Sequence, residues 1–167
     1  MRRTFFSVGL LVLVCPVTAI VTAAQEKISG TIQCAKPDPQ HVVPVEGMPG
    51  HSLSVQQSKC TWTKPMEIAG LQTKDAVLTD TSDVSATVVS DHGYSVTTMT
   101  NGDILIGSFS DTVHTRKDGS FEGIKATWAF RSGSGKLKGI KGKGTYQCKA
   151  AGDVNTCDVE GEYTLPK

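Results

Sequence analysis

Ile140-Lys141-Gly142-Lys143-Gly144-Thr145-Tyr146-Gln147-Cys148 and Cys157-Asp158-Val159-Glu160-Gly161-Glu162-Tyr163-Thr164-Leu165 are the two stretches whose reading decides the fold. Each alternates in period two, the pattern of a strand with one apolar face. Setting Cys148 directly opposite Cys157 places Tyr146 against Val159, Gly144 against Gly161, Gly142 against Tyr163 and Ile140 against Leu165. The other face then sets Lys143 opposite Glu162, Thr145 opposite Glu160 and Gln147 opposite Asp158. One pairing thus produces an apolar face and a charge-complementary one, as favourable cross-strand pairs require.

Upstream, turn signals predict further hairpins that keep the same faces inward. Asn101-Gly102 is a two-residue turn signal. It predicts Thr98 opposite Leu105, Val96 opposite Gly107 and Tyr94 opposite Phe109. Asp118-Gly119 predicts Val113 with Ile124, Phe109 with Trp128 and Gly107 with Phe130. The run Ser132-Gly133-Ser134-Gly135 predicts a loop that brings Trp128 to Ile140 and Ala126 to Gly142. A one-residue slip in any of them turns an apolar row to water.

Toward the N-terminus, Ile28 to Cys34 and Leu53 to Trp62 read as strands, separated by a Pro- and Gly-rich loop over 35–51. No period decides the structure of residues 63–82. With six strands between Asp83 and Leu165, the count is about eight. The fold class expected is all-β: a small antiparallel up-and-down barrel, with a β-sandwich as the alternative. Gly107, Gly142, Gly144 and Gly161 on the inner face favour the barrel, since tight curvature and large facing rings need small neighbours.

The segment Thr127-Trp128-Ala129-Phe130, Gly133-Ser134-Gly135-Lys136 and Gly142-Lys143-Gly144-Thr145-Tyr146 resembles the W-x-F, GxGK and G-x-G-T-Y pattern of allene-oxide-cyclase-like and dirigent-like barrels. Many uncharacterised bacterial secreted proteins are of that kind. The resemblance is strong over about twenty residues and loose over residues 83–149. It implies a small eight-stranded barrel. It assigns no catalytic residue, because no position here matches those of the plant enzymes, and two disulfides are a departure from them.

The chain opens Met1-Arg2-Arg3, continues through an apolar run from Phe5 to Val21, and reaches the small residues Thr22-Ala23-Ala24. This is the layout of a cleavable signal peptide, with cleavage expected near Ala24. The run is short and interrupted by Cys15-Pro16 and Thr18, too poor for a retained membrane span. The remaining residues, 25–167, are expected to form one exported domain, secreted or periplasmic, without a membrane span. Its 15 basic and 16 acidic side chains sum to a formal charge of −1, which argues against nucleic acid as a partner. Export permits disulfides, and four cysteines survive processing. Proximity favours Cys34 with Cys60 and Cys148 with Cys157 among the three possible pairings.

No cofactor or metal is expected. Lys136 is followed by Leu137 rather than Ser or Thr, so the glycine-rich run is not a Walker loop. It precedes a strand rather than a helix, so it is not a dinucleotide fingerprint either. The cysteines lack a C-x-x-C knuckle, and nothing in the spacing of His41 and His51 with His92 or Asp111 demands a metal. Lys136, Lys138, Lys141, Lys143 and Lys149 read as a solvated face.

Extending the Asn101-Gly102 register places His92 opposite Asp111 on the inner face, a candidate acid–base pair. Tyr94, Phe109, Trp128, Phe130, Tyr146 and Tyr163 are expected to line the interior as core or as a ligand pocket. Three functions are consistent with this. The leading one is an exported barrel binding a small apolar molecule. The others are an isomerase or cyclase-like enzyme using His92 and Asp111, and an envelope or extracellular protein engaging a macromolecule through its outer face or the 35–51 loop. The oligomeric state is not encoded in any motif.

Overall fold

A computed structural model describes residues 25–115, 121–151 and 154–166. The signal peptide expected over 1–24 and the Asp118-Gly119 turn lie outside the described residues. Among the described residues there are ten strands: β1 (Glu26–Ala35), β2 (Gln40–Pro44), β3 (Ser52–Lys64), β4 (Glu67–Ile68), β5 (Leu71–Val84), β6 (Val88–Met99), β7 (Ile104–Thr115), β8 (Phe121–Gly133), β9 (Lys141–Ala151) and β10 (Val154–Thr164). A 3₁₀ turn, Gly135–Leu137, lies between β8 and β9.

Every ladder is antiparallel, and β10 returns to pair with β1 while β3 pairs with both β1 and β5. The result is a closed eight-stranded barrel in the order β1-β3-β5-β6-β7-β8-β9-β10, with β2 and β4 as additions on β3 and β5. Closure, rather than a sandwich, removes the unpaired edges of the eight main strands. No helix among the described residues is long and apolar enough to cross a membrane.

The β9–β10 ladder has the expected register from Cys148↔Cys157 through Gly142↔Tyr163, ending at Lys141↔Thr164. Both disulfides form as proximity suggested, Cys34–Cys60 and Cys148–Cys157. The β7–β8 pairs Val113↔Ile124, Phe109↔Trp128 and Gly107↔Phe130 are also as expected. The glycine rows accommodate rings: a Cβ on Gly144 would lie 2.7 Å from Trp128, and one on Gly142 would lie 2.6 Å from Phe130.

Two registers differ from expectation. The hairpin at Asn101-Gly102 is one residue out, with Thr98 opposite Ile104, Ser95 opposite Gly107 and Tyr94 opposite Ser108. The turn contains three residues rather than two. Gly102 N donates to Met99 O (3.0 Å), Met99 N donates to Asp103 O (2.8 Å), and Gly102 takes a φ of +88°. That is a type I turn followed by a left-handed glycine, the usual three-residue hairpin. Between β8 and β9, Trp128 meets Gly144 rather than Ile140. The linker does not turn back at once. It spends residues 134–140 across one end of the barrel, burying Leu137 and Ile140 to 0% and 1% exposure.

Strands also form in the region expected to be a loop and in the one that no period decides. The 35–51 loop includes β2, which lies along β3 with all its residues exposed. Residues 63–82 hold β4 and most of β5, joined at Ala69-Gly70, where both φ angles are positive (53° and 73°). Only five strands, not six, begin after Asp83. β5 escapes a period-two reading because a bulge between Thr73 and Asp75 shifts its phase. Its inner face also ends in the polar pair Asp80 and Ser82, both buried.

The two ends of the barrel differ. At the end reached by the 65–70, 100–103 and 134–140 connections, Ile68, Met99, Leu137 and Ile140 form a dry layer. Tyr163 completes it, its hydroxyl accepting from Ala69 N (3.0 Å) and donating to Glu26 (2.6 Å). Toward the opposite end β1, β3, β9 and β10 carry the two disulfides, and β5, β6 and β7 carry inward carboxylates.

Candidate functional site

Inside the barrel, between these ends, lies a cavity of about 220 Å³. Its apolar wall includes Ile32, Leu78, Leu105, Phe109 and Phe130, and both tryptophans of the chain reach it. Trp128 and Phe130 stack at 4.6 Å between ring centroids. Trp128 Nε1 donates to the backbone carbonyls of Thr145 and Glu160 (3.2 and 3.1 Å), which anchors the ring over the paired glycines of β9 and β10.

One pole of the cavity is acidic. Asp80 on β5, Asp91 on β6 and Asp111 on β7 line it with Tyr146 on β9. Asp91 and Asp111 are direct cross-strand partners. Asp80 sits beside Gly93, where a Cβ would come within 2.6 Å of the Asp80 Cβ, so the absent side chain gives the carboxylate its room. Gln56 Nε2 donates to Asp80 (2.8 Å), and the Tyr146 hydroxyl donates to Asp111 (2.5 Å). Like charges placed directly opposite are unfavourable in a ladder, so this arrangement opposes stability.

The protonation equilibria reflect the crowding. Burial, followed by the neighbouring carboxylates Asp91 and Asp80, pushes the Asp111 carboxyl up to about 6 against the opposing hydrogen bond from Tyr146. Asp80 is raised as well, chiefly by burial and partly by Asp91, while Gln56 and His92 act the other way. Tyr146 is pushed far up, first by burial and then by the Asp111 charge, so its hydroxyl stays a donor.

Two residues that line this interior each have a buried polar atom with no partner among the described residues: Asp91 Oδ1 and Trp62 Nε1. An orphaned donor or acceptor in a buried site costs about 1–3 kcal/mol. Such atoms call for an explanation in terms of what else occupies the site.

The expected site residues are only partly brought together. Phe109, Trp128, Phe130 and Tyr146 line the cavity; Tyr163 is buried at the packed end instead. Tyr94 points outward and is 60% exposed, a direct result of the one-residue register change. The same change separates the His92–Asp111 pair. His92 lies opposite Ser110 on the outer face, where its ring meets the Thr81 hydroxyl at 3.0 Å, while Asp111 faces inward to Asp91. His51 pairs with Asp83 (2.7 Å) outside the barrel. Among the described residues, no three His, Cys, Asp or Glu side chains are placed to hold a metal ion.

No family model matches the chain, and no curated protein matches it. Among solved structures, a conserved protein of unknown function from Rhodopseudomonas palustris is similar with a TM-score of 0.50 at 9% identity. The match covers 84% of this chain and 99% of that one. The likeness is one of fold. A beta-barrel like protein from Acinetobacter baumannii aligns with a TM-score of 0.49 at 10% identity, over 86% and 99% of the two chains.

Proposed function

We propose that this protein is an exported barrel that binds a small, largely apolar molecule in its interior. The observation that carries the reading is the cavity of about 220 Å³, walled by aliphatic and aromatic side chains yet holding unpartnered polar atoms. Eight-stranded barrels are wide enough either to fill with side chains or to hold one small ligand. Here glycines on β9 and β10 let the Trp128 and Phe130 rings lie close against the wall of the cavity. A cavity of this order suits a molecule of one or two rings (a cavity of ~150 Å³ accepts benzene).

Two further elements belong to the same proposal. Residues 1–24 direct export and are removed, leaving 25–167 as the working domain; the two disulfides are consistent with an extracellular or periplasmic location. Intact mass of the protein recovered from an expressing host is expected to begin near Gln25. Kinship with allene-oxide-cyclase-like barrels is part of the same proposal; it rests on the resemblance of the Trp128-to-Tyr146 segment, which concerns architecture and carries no activity.

A thermal-shift screen with lipophilic and aromatic compounds tests the binding reading. Stabilisation by compact one- and two-ring compounds, with no effect from long-chain lipids, is expected. A flat response across a broad set would sink the idea.

A further inference from the structure

The acidic pole and the unpartnered indole place opposite demands on whatever fills the cavity. Among the described residues that line it there are three aspartates and no lysine, arginine or histidine. The hydrogen bonds that Gln56 and Tyr146 donate to Asp80 and Asp111 are neutral ones, and Asp91 Oδ1 receives none. Asp80 is buried and Asp91 and Asp111 are half-buried, and carboxylates crowded in this way are matched in folded proteins by a proton or by a cation. Next to them, Phe109 and Tyr146 meet edge to face at 6.4 Å, and aromatic faces beside a negative group are surroundings that an ammonium favours. Trp62 supplies the second, independent demand. It is nine-tenths buried, lines the same cavity, and its indole N–H lacks an acceptor among the described residues.

We propose that the ligand is a small protonated organic amine, its ammonium held by Asp91 and Asp111, its apolar body between the aromatic walls, and an acceptor oxygen or nitrogen taking the Trp62 indole N–H. This rests on the interior-binding reading above and names the chemical class that the site recognises. The apo barrel holds its carboxylates at a cost that the ligand relieves. The same groups give a pH dependence. Those facing Asp111 are Asp91 from β6, Asp80 from β5 and Tyr146 from β9, with His92 acting on Asp80 from the outer side. Asp111 ionises around pH 6, so binding of the amine strengthens from pH 5 to pH 7 and then levels.

A matched set of probes tests the class: tyramine, its neutral counterpart 4-ethylphenol, its anionic counterpart 3-(4-hydroxyphenyl)propionate, and phenethylamine, which lacks the acceptor. Calorimetry and the emission of Trp62 and Trp128 report binding. Tyramine is expected to bind roughly tenfold or more tighter than 4-ethylphenol, with the anion weakest and phenethylamine between. Asp91→Asn and Asp111→Asn are each expected to remove most of tyramine's advantage over 4-ethylphenol. Thermal unfolding of each variant verifies that the barrel is intact. If 4-ethylphenol binds as tightly as tyramine, the amine inference is overturned and the apolar-pocket reading stands. If none of the four binds, both fail.

Discussion

The two ends of this barrel are held by different physics. At the packed end, Ile68, Leu137, Ile140 and Met99 are excluded from water almost completely, and short connections fold over them. At the other end, three inward carboxylates crowd together, and two disulfides tie β1 to β3 and β9 to β10 close by. The contrast indicates how stability is distributed. Apolar packing closes one end. Covalent links offset the electrostatic and desolvation cost of the other.

The sharpest way to break that contrast is to hollow out the packed end. Leu137→Ala is expected to lower the unfolding free energy by about 2–5 kcal/mol, measured by denaturant titration. A loss well under 1 kcal/mol would mean that the 134–140 cover contributes little. Replacing Cys34 and Cys60 together by Ala removes a staple spanning 26 residues. A loss of roughly 3 kcal/mol is expected from chain entropy. Hydrogen exchange is expected to localise the resulting loss of protection to the disulfide-bearing ends of β1 and β3, and uniform loss would contradict a division between ends.

Asp111→Asn reverses the sign. The folded protein raises this carboxyl from 3.8 to about 6, so it binds the proton more tightly than the unfolded chain does. Stability from this group is therefore fully present below pH 4 and falls as pH rises through about 6. The substitution removes that fall. A gain on the order of 1 kcal/mol is expected at pH 7–8 after allowing for solvent screening, with convergence to the parent near pH 4. A variant less stable than the parent at pH 8 would remove the carboxylate end from the list of destabilising features. The smallest effect is expected at Tyr94. It points outward, so Tyr94→Ala should change stability by no more than about 0.5 kcal/mol. A loss of about 3 kcal/mol or more would mean that the tyrosine is in the core and the β6–β7 register is the two-residue one.

How much of this can be read from the chain depends on what constrains each register. The β9–β10 ladder is legible because a covalent bond, an apolar row and a charge-matched row all select the same pairing. The β6–β7 ladder is not, since Thr-Asn-Gly supports a two- or a three-residue turn and β6 carries small or polar residues on both faces. Choosing the shorter turn exchanges Asp91 for His92 on the inner face. The acidic pole is thereby hidden and an acid–base pair appears that the fold does not assemble. Asp80 was inaccessible for another reason: it follows a bulge in a strand whose alternation is broken. Trp62 lay within a legible strand, but its significance depends on an indole nitrogen left without a partner, which only three-dimensional packing reveals.

The pairing of β1 with β10 has a consequence in time as well as space. Most of the ladders join neighbours in the chain, so they can form as soon as their two strands are available. The seam from Glu26↔Tyr163 to Ala35↔Val154 joins the first described strand to the last. It must wait for the whole chain, and it carries the largest loop-closure entropy in the molecule. Until then β1 has a free edge and the interior is an open trough. A chain shortened by its last dozen residues would keep most of its hairpins yet never enclose a volume.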